Sequence, residues 1–245
     1  MWGKRHPHRR AFSDRLTQSS QLHLAVLLVV TNRSAPTISI ELVERCHAAY
    51  NRGGQKTWAD LVLATPGGVD LTQTAHRRAV HSYLNRWGCR LKKADGSGES
   101  AAAQALRDWW HNNSNELKAM LSKDLADLSD SEIERATDVY WDLRTRKAGP
   151  RRGIGPVTAA KVLLALGPST FPAWDSTIAK ETYGGANRDT YRAHLAQCRE
   201  WAQHLEANHA AELGKLINPV ERIGIAKLLD ESLYGILTRK LKLEN

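Results

Sequence analysis

The chain has 245 residues, of which 42% are apolar and 25% charged, with a formal net charge of +9. This is enough for one large or two small domains with real cores, and the charge asks for a polyanionic partner without choosing between DNA, RNA and a membrane surface. Three scattered cysteines, Cys46, Cys89 and Cys198, form neither a disulfide framework nor a metal spacing and fit a reducing, cytoplasmic setting.

Residues 1–12, MWGKRHPHRRAF, carry four Lys/Arg and two His. They lack the apolar core and small-residue cleavage site of a signal peptide, so the stretch reads as a disordered basic tail or as an arm that touches DNA. His6 and His8, without further partners, do not make a metal site. Residues 22–30, LHLAVLLVV, are the most apolar run. The run is too short to span a bilayer and reads as a buried helix, with Asn32 as a possible C-cap. Residues 39–50 place apolar side chains at 40, 42, 43, 46 and 50, a helical stripe followed by Gly53-Gly54. A shorter helix over 58–64 stops at Pro66-Gly67-Gly68.

Residues 71–94 carry Arg77, Arg78, Arg86, Arg90, Lys92 and Lys93 and no acid. With Val80, Leu84 and Trp87 turned to a core, Arg77, Arg78 and His81 share another side of the helix. The segment is either a solvated charged face or a surface that contacts phosphates. After a polar loop at 95–98, a helix over 99–111 is expected to end in Trp109-Trp110, which either close a core or stack on a base. Asn113-Ser114 read as the cap of a separate helix to about 125. The next helix, 129–147, bears Tyr140 and Trp141.

The chain is organised around residues 153–180, GIGPVTAAKVLLALGPSTFPAWDSTIAK. A Gly-Ile-Gly turn leads into Pro156 at a first helical position, where its missing N–H is harmless. The helix ends at Gly167-Pro168, and an irregular segment then delivers Asp175 to the start of another helix. Gly153 and Gly155 let the backbone approach a ligand closely, and a helix N-terminus favours an anion. With Arg151 and Arg152 just before it, phosphate is the natural ligand; a ligand-free turn between two helices is the plain alternative. Beyond this stretch, 189–208 reads as one helix, and Asn218-Pro219 as the cap and first position of a last helix to about 242. No strand pattern competes anywhere, and the fold class is all-α.

The Gly-Ile-Gly hairpin, the aliphatic helix after it and Asp175, 22 residues after Gly153, resemble the helix-hairpin-helix DNA glycosylases of the endonuclease III type. The similarity covers about 22–180. The family's Asp falls on Asp175, its following Thr on Ser176, its His on Thr177 and its Arg on Lys180. Ala25-Val26-Leu27-Leu28 resemble the family's first core helix, which places Thr31 and Asn32 where a polar residue approaches the flipped base. Residues 88–94 resemble the turn before the family's next helix. The region 99–149 is longer than in minimal members, and Pro150-Arg151-Arg152 replaces the usual Leu-Pro approach.

The resemblance implies two helical lobes, one made of 1–33 with 166–245 and one of 34–165, with double-stranded DNA meeting the cleft between them. It implies a cytoplasmic monomer that needs no cofactor and no metal; with Cys198 alone near the C-terminus, the iron–sulfur cluster of many relatives has no ligands. Phosphates would be held by Gly153, Gly155, Val157 and Thr158 of the hairpin and by Arg77, Arg78, Arg90, Lys92, Lys93, Arg151, Arg152 and Lys180. Asp175 would stabilise the cationic sugar and activate water as the base departs; its plain alternative is a helix cap. The lysine nucleophile of the strand-cleaving members sits two residues after the second Gly, and here that residue is Val157. Lys161, one turn on, is expected to point elsewhere. A monofunctional DNA glycosylase is therefore implied, for base excision repair or for defence against viral DNA with modified bases. Valine at 157 leaves a roomier pocket than the Trp of alkylpurine-type relatives. Thr31, Asn32, Tyr140, Trp141 and Trp174 are the candidates for holding the flipped base or filling the gap it leaves. The alternative is a non-catalytic helix-hairpin-helix DNA-binding protein.

Overall fold

The computed structural model describes residues 36–52, 56–92, 98–149 and 153–241, and among them all regular structure is helical apart from two isolated one-residue bridges. In chain order the helices are α1 (Ile40–Arg52), α2 (Lys56–Ala64), α3 (Thr74–Arg86), α4 (Ala101–Leu121), α5 (Asp130–Thr145), α6 (Pro156–Leu166), α7 (Ser176–Tyr183), α8 (Arg188–Leu216) and α9 (Ile225–Leu233). A 3₁₀ turn at Leu125–Asp127 precedes α5, and a π-helical turn at Tyr234–Thr238 follows α9. The all-α expectation holds.

Local chemistry accounts for most boundaries. Ser100 accepts a hydrogen bond from the Ala103 N–H at the start of α4, and Ser129 with Glu132 forms a capping box on α5. Pro156 opens α6, and Gly155 before it has φ +80°, a left-handed conformation that suits glycine.

Among the boundaries that differ from the sequence reading, the helix read as 189–208 runs on to Leu216 and the last ends at Leu233 before the π-helical turn, and two more have a visible cause. α4 runs unbroken through 113–114, because the Asn113 side chain is engaged by the Trp109 carbonyl and by Asp142 of α5 instead of capping a new helix. Asn218 and Pro219 belong to a tight turn paired at Asn218 and Ile223, and α9 starts only at Ile225. A Cβ at Gly224 would stand 2.2 Å from Ser169 Oγ, so the start of α9 is wedged against the turn after α6.

α6 lies at the centre. Every residue from Thr158 to Leu166 is buried, as expected for a helix covered on all sides. It packs between α5 and α3, while α9 packs on α1 and α8. α1 stands at the start of the expected middle lobe, yet its main partner is α9, near the end of the chain. The Trp109-Trp110 pair is buried core, with Trp109 Nε1 donating to the Val139 carbonyl. No helix among the described residues is long and apolar enough to cross a membrane.

Candidate active site

The Gly-Ile-Gly turn is clamped to the end of α5: the Ile154 and Gly155 N–H groups donate to the Arg146 and Arg144 carbonyls at 2.9 and 3.2 Å. This fixes the start of α6, where the first-turn N–H groups have no intrahelical acceptor. Beside it the chain after Pro172 brings Asp175 to the first position before α7. Asp175 Oδ1 accepts from the Thr177 and Ile178 N–H groups, both at 2.8 Å, so the carboxylate does cap the helix. Its other oxygen, Oδ2, accepts from Thr238 Oγ1 at 2.6 Å, and the residue stays half-buried. The cap and Thr238 together hold the carboxylate in one orientation.

Asp175 and the hairpin open onto one cleft of about 530 Å³. Gly153, Gly155, Val157 and Thr158 line it, as does the Trp87-Gly88-Cys89 turn after α3. Tyr234 and Thr238 close it from the C-terminal π-helical turn. Tyr50 stacks on Trp87 with ring centroids 5.9 Å apart, and Tyr234 meets Trp87 edge-on at 5.9 Å, so one wall is aromatic. Lys161 also lines the cleft, against expectation. Residues four apart share a helix face, so Lys161 looks out on the same side as Val157. Thr238, Tyr234 and the cleft-facing role of Trp87 carried no sequence signal; packing brings them into the cleft with Asp175.

Several expected site residues are placed elsewhere. Arg77 is only 3% exposed, and its guanidinium is spent on Glu99, on the Leu71 and Thr72 carbonyls and on Thr74 Oγ1. It ties α3 to the approach to α4 and has no donor for a phosphate. Tyr140 and Trp174 are fully buried in the core behind Asp175, so neither can fill a gap in DNA. Trp141 is half-buried with the Arg144 guanidinium 4.3 Å over its ring, and it does not line the cleft. Arg78, Arg90, Lys92 and Lys180 are exposed; Arg78 borders a separate cavity with His81, Asn85 and Arg86. Thr31, Asn32, Lys93, Arg151, Arg152 and the basic N-terminal stretch lie outside the described residues. Among the described residues no group of three or more His, Cys, Asp or Glu is placed to hold a metal ion.

The floor under Asp175 is an aromatic cluster. Trp174 stacks on His194 at 5.3 Å and meets Tyr191 edge-on at 5.2 Å. His194 Nε2 donates to the Ala173 carbonyl at 3.2 Å, which pins the chain two residues before the carboxylate. Burial holds the His194 imidazole down at about 4. A histidine buried neutral stabilises the fold fully above its ordinary value of about 6.5 and loses that contribution as pH falls toward 4. Urea titrations at pH 7.5 and 5.0 are expected to differ by about 2 kcal/mol from this residue alone. A His194→Phe variant should lack that part of the acid slope; equal slopes in the two proteins would refute the assignment.

Compared with known proteins, the chain matches no family model, no curated protein and no solved structure.

Proposed function

We propose that the protein is a monofunctional DNA glycosylase with the two-lobed helix-hairpin-helix fold, hydrolysing the N-glycosidic bond of a damaged or modified base in double-stranded DNA. The observation that carries this reading is the shared cleft of Asp175 and the Gly153–Gly155 hairpin. A backbone turn suited to a phosphate stands beside a fixed carboxylate, and the chemistry needs both. As the base leaves, positive charge grows on the sugar; a carboxylate held in place offsets it and accepts a proton from the attacking water. The protein acts as a cytoplasmic monomer without cofactor, in repair or in defence against modified viral DNA.

The test is base release, with freed bases identified by mass spectrometry and abasic sites by alkali cleavage. The wild type should release a base from at least one of a panel of deaminated, oxidised, alkylated and glucosylated duplexes, without strand breaks before alkali. Thr238 orients the carboxylate in this scheme. Thr238→Val is expected to slow release roughly tenfold with little change in melting temperature, since about 1.4 kcal/mol of a charge-assisted hydrogen bond is lost. Thr238→Ser should recover most of the rate.

A non-catalytic helix-hairpin-helix DNA-binding protein is the second reading, favoured by the capping of α7 by Asp175 Oδ1. Salt-dependent binding of duplex DNA with no base released from any substrate would select it.

A further inference from the structure

Lys161 is a buried lysine in a cleft that already holds an acid. It is 5% exposed, its ammonium sits 4.3 Å over the Trp87 ring, and its side chain lines the cleft with Asp175. Among the described residues no hydrogen bond or ion pair engages that ammonium. Its field is nevertheless felt around it: burial pushes the Asp230 carboxyl up, and Lys161 and Lys227 pull it back. Cys89, also in the cleft lining, is pushed up by burial and drawn back by the Thr158 hydroxyl and by Lys161. Among the described residues the ammonium rests on the Trp87 ring and in the field of Asp230, with no hydrogen-bond acceptor of its own. A buried ammonium that lacks an acceptor gains from a ligand that supplies one.

Resting on the glycosylase reading, we propose that Lys161 binds the departing base and restricts the substrate to bases that leave as anions. In N-glycosidic hydrolysis the bond to C1′ breaks with its electron pair going to the base. Two opposite charges develop, positive on the sugar and negative on the base. Asp175 faces the first and Lys161 the second. The ammonium donates a hydrogen bond to a carbonyl oxygen or ring nitrogen of the base, whose ring lies against the Trp87–Tyr234 wall. Water adds to C1′ and gives its proton to Asp175, the free base takes a proton from solvent, and Lys161 keeps its own. Substrates of this class are neutral, carbonyl-bearing bases: deaminated pyrimidines, oxidised purines and carbonyl-bearing modified pyrimidines. An N7-alkylated purine carries a fixed positive charge, and Lys161 repels it.

The experiment compares single-turnover base release by the wild type, Lys161→Met and Lys161→Arg on duplexes carrying one uracil, 5-fluorouracil, 8-oxoguanine or 7-methylguanine. For whichever neutral bases are released, Lys161→Met should be slower by roughly 100-fold, the usual scale for losing one electrostatic stabiliser, and Lys161→Arg should retain most of the rate. The gap between uracil and the more acidic 5-fluorouracil should widen in Lys161→Met, because leaving-group acidity must then substitute for the lost cation. Release of 7-methylguanine should be slow in the wild type and unchanged or faster in Lys161→Met. Opposite responses to the two charge classes cannot come from a folding defect, and the wild-type substrate order tests the idea without any variant. Equal slowing of both classes, or a wild type that prefers 7-methylguanine, overturns the proposal. A borohydride-trapped DNA adduct that disappears in Lys161→Met also overturns it, making Lys161 a nucleophile. Absence of base release from any duplex ends both this proposal and the glycosylase reading. Release that survives Asp175→Asn but responds to Lys161 as described ends only the role given to Asp175.

Discussion

Asp175→Asn is expected to lower the rate of base release by roughly 1,000-fold, about 4 kcal/mol of transition-state stabilisation. The substitution is chosen because it leaves the structural duties of the residue in place. Asparagine caps helices about as well as aspartate, so its amide oxygen can still accept from the Thr177 and Ile178 N–H groups that Oδ1 now engages. At the other end of the group, an amide NH₂ in place of Oδ2 can donate to Thr238 Oγ1, which now donates to it. The variant should therefore melt close to the wild type and bind abasic-site duplexes with similar affinity. What it lacks is the negative charge and the proton acceptor. Single-turnover release, duplex affinity and melting temperature measured on one preparation separate these effects. A variant that keeps its rate within threefold makes Asp175 a cap and nothing more. One that loses rate, affinity and stability together points to collapse of the turn.

The parts of this site legible in the sequence are those written in consecutive residues. Gly155 at φ +80°, Pro156 at the first helical position and an apolar run buried from Thr158 to Leu166 each leave a local mark. So does an aspartate that caps the helix after it. The opposite wall leaves none. Trp87, Tyr234 and Thr238 reach Asp175 because α3 packs on α6 and the π-helical turn packs on α7, and periodicity within one segment cannot encode that. Lys161 was legible in principle, since its spacing of four from Val157 fixes a common face. Arg77 is the reverse case. An unbroken run of cations looks like a phosphate surface, but Glu99, 22 residues away, supplies the acid that the run itself lacks. Asn113 and Asn218 have the chemistry of caps, and tertiary partners use them otherwise.

A second large effect is expected behind the cleft. Lys227 is buried on α9, with its ammonium bonded to Glu231 one turn on and lying 4.4 Å over the Tyr50 ring. Glu231 in turn accepts from His47 of α1 at 2.7 Å. Asp230, beside it in sequence and also buried, draws on Lys227 and Lys161 for its positive surroundings. Lys227→Met removes the cation bonded to Glu231, leaving His47 beside Glu231 and Lys161 beside the buried Asp230. Breaking a buried pair from one side costs about 3–5 kcal/mol, which for a chain of this size lowers the melting temperature by roughly 10 °C. The double variant Lys227→Met/Glu231→Leu removes both charges and should recover more than half of that loss, because a packed apolar pair is often as stable as the ion pair it replaces. The same comparison tests whether this buried network positions Lys161. Should the double variant regain stability while 8-oxoguanine or uracil release stays slow, the α9 charges are retained to hold the cleft's cation in place, and their value to the fold is secondary.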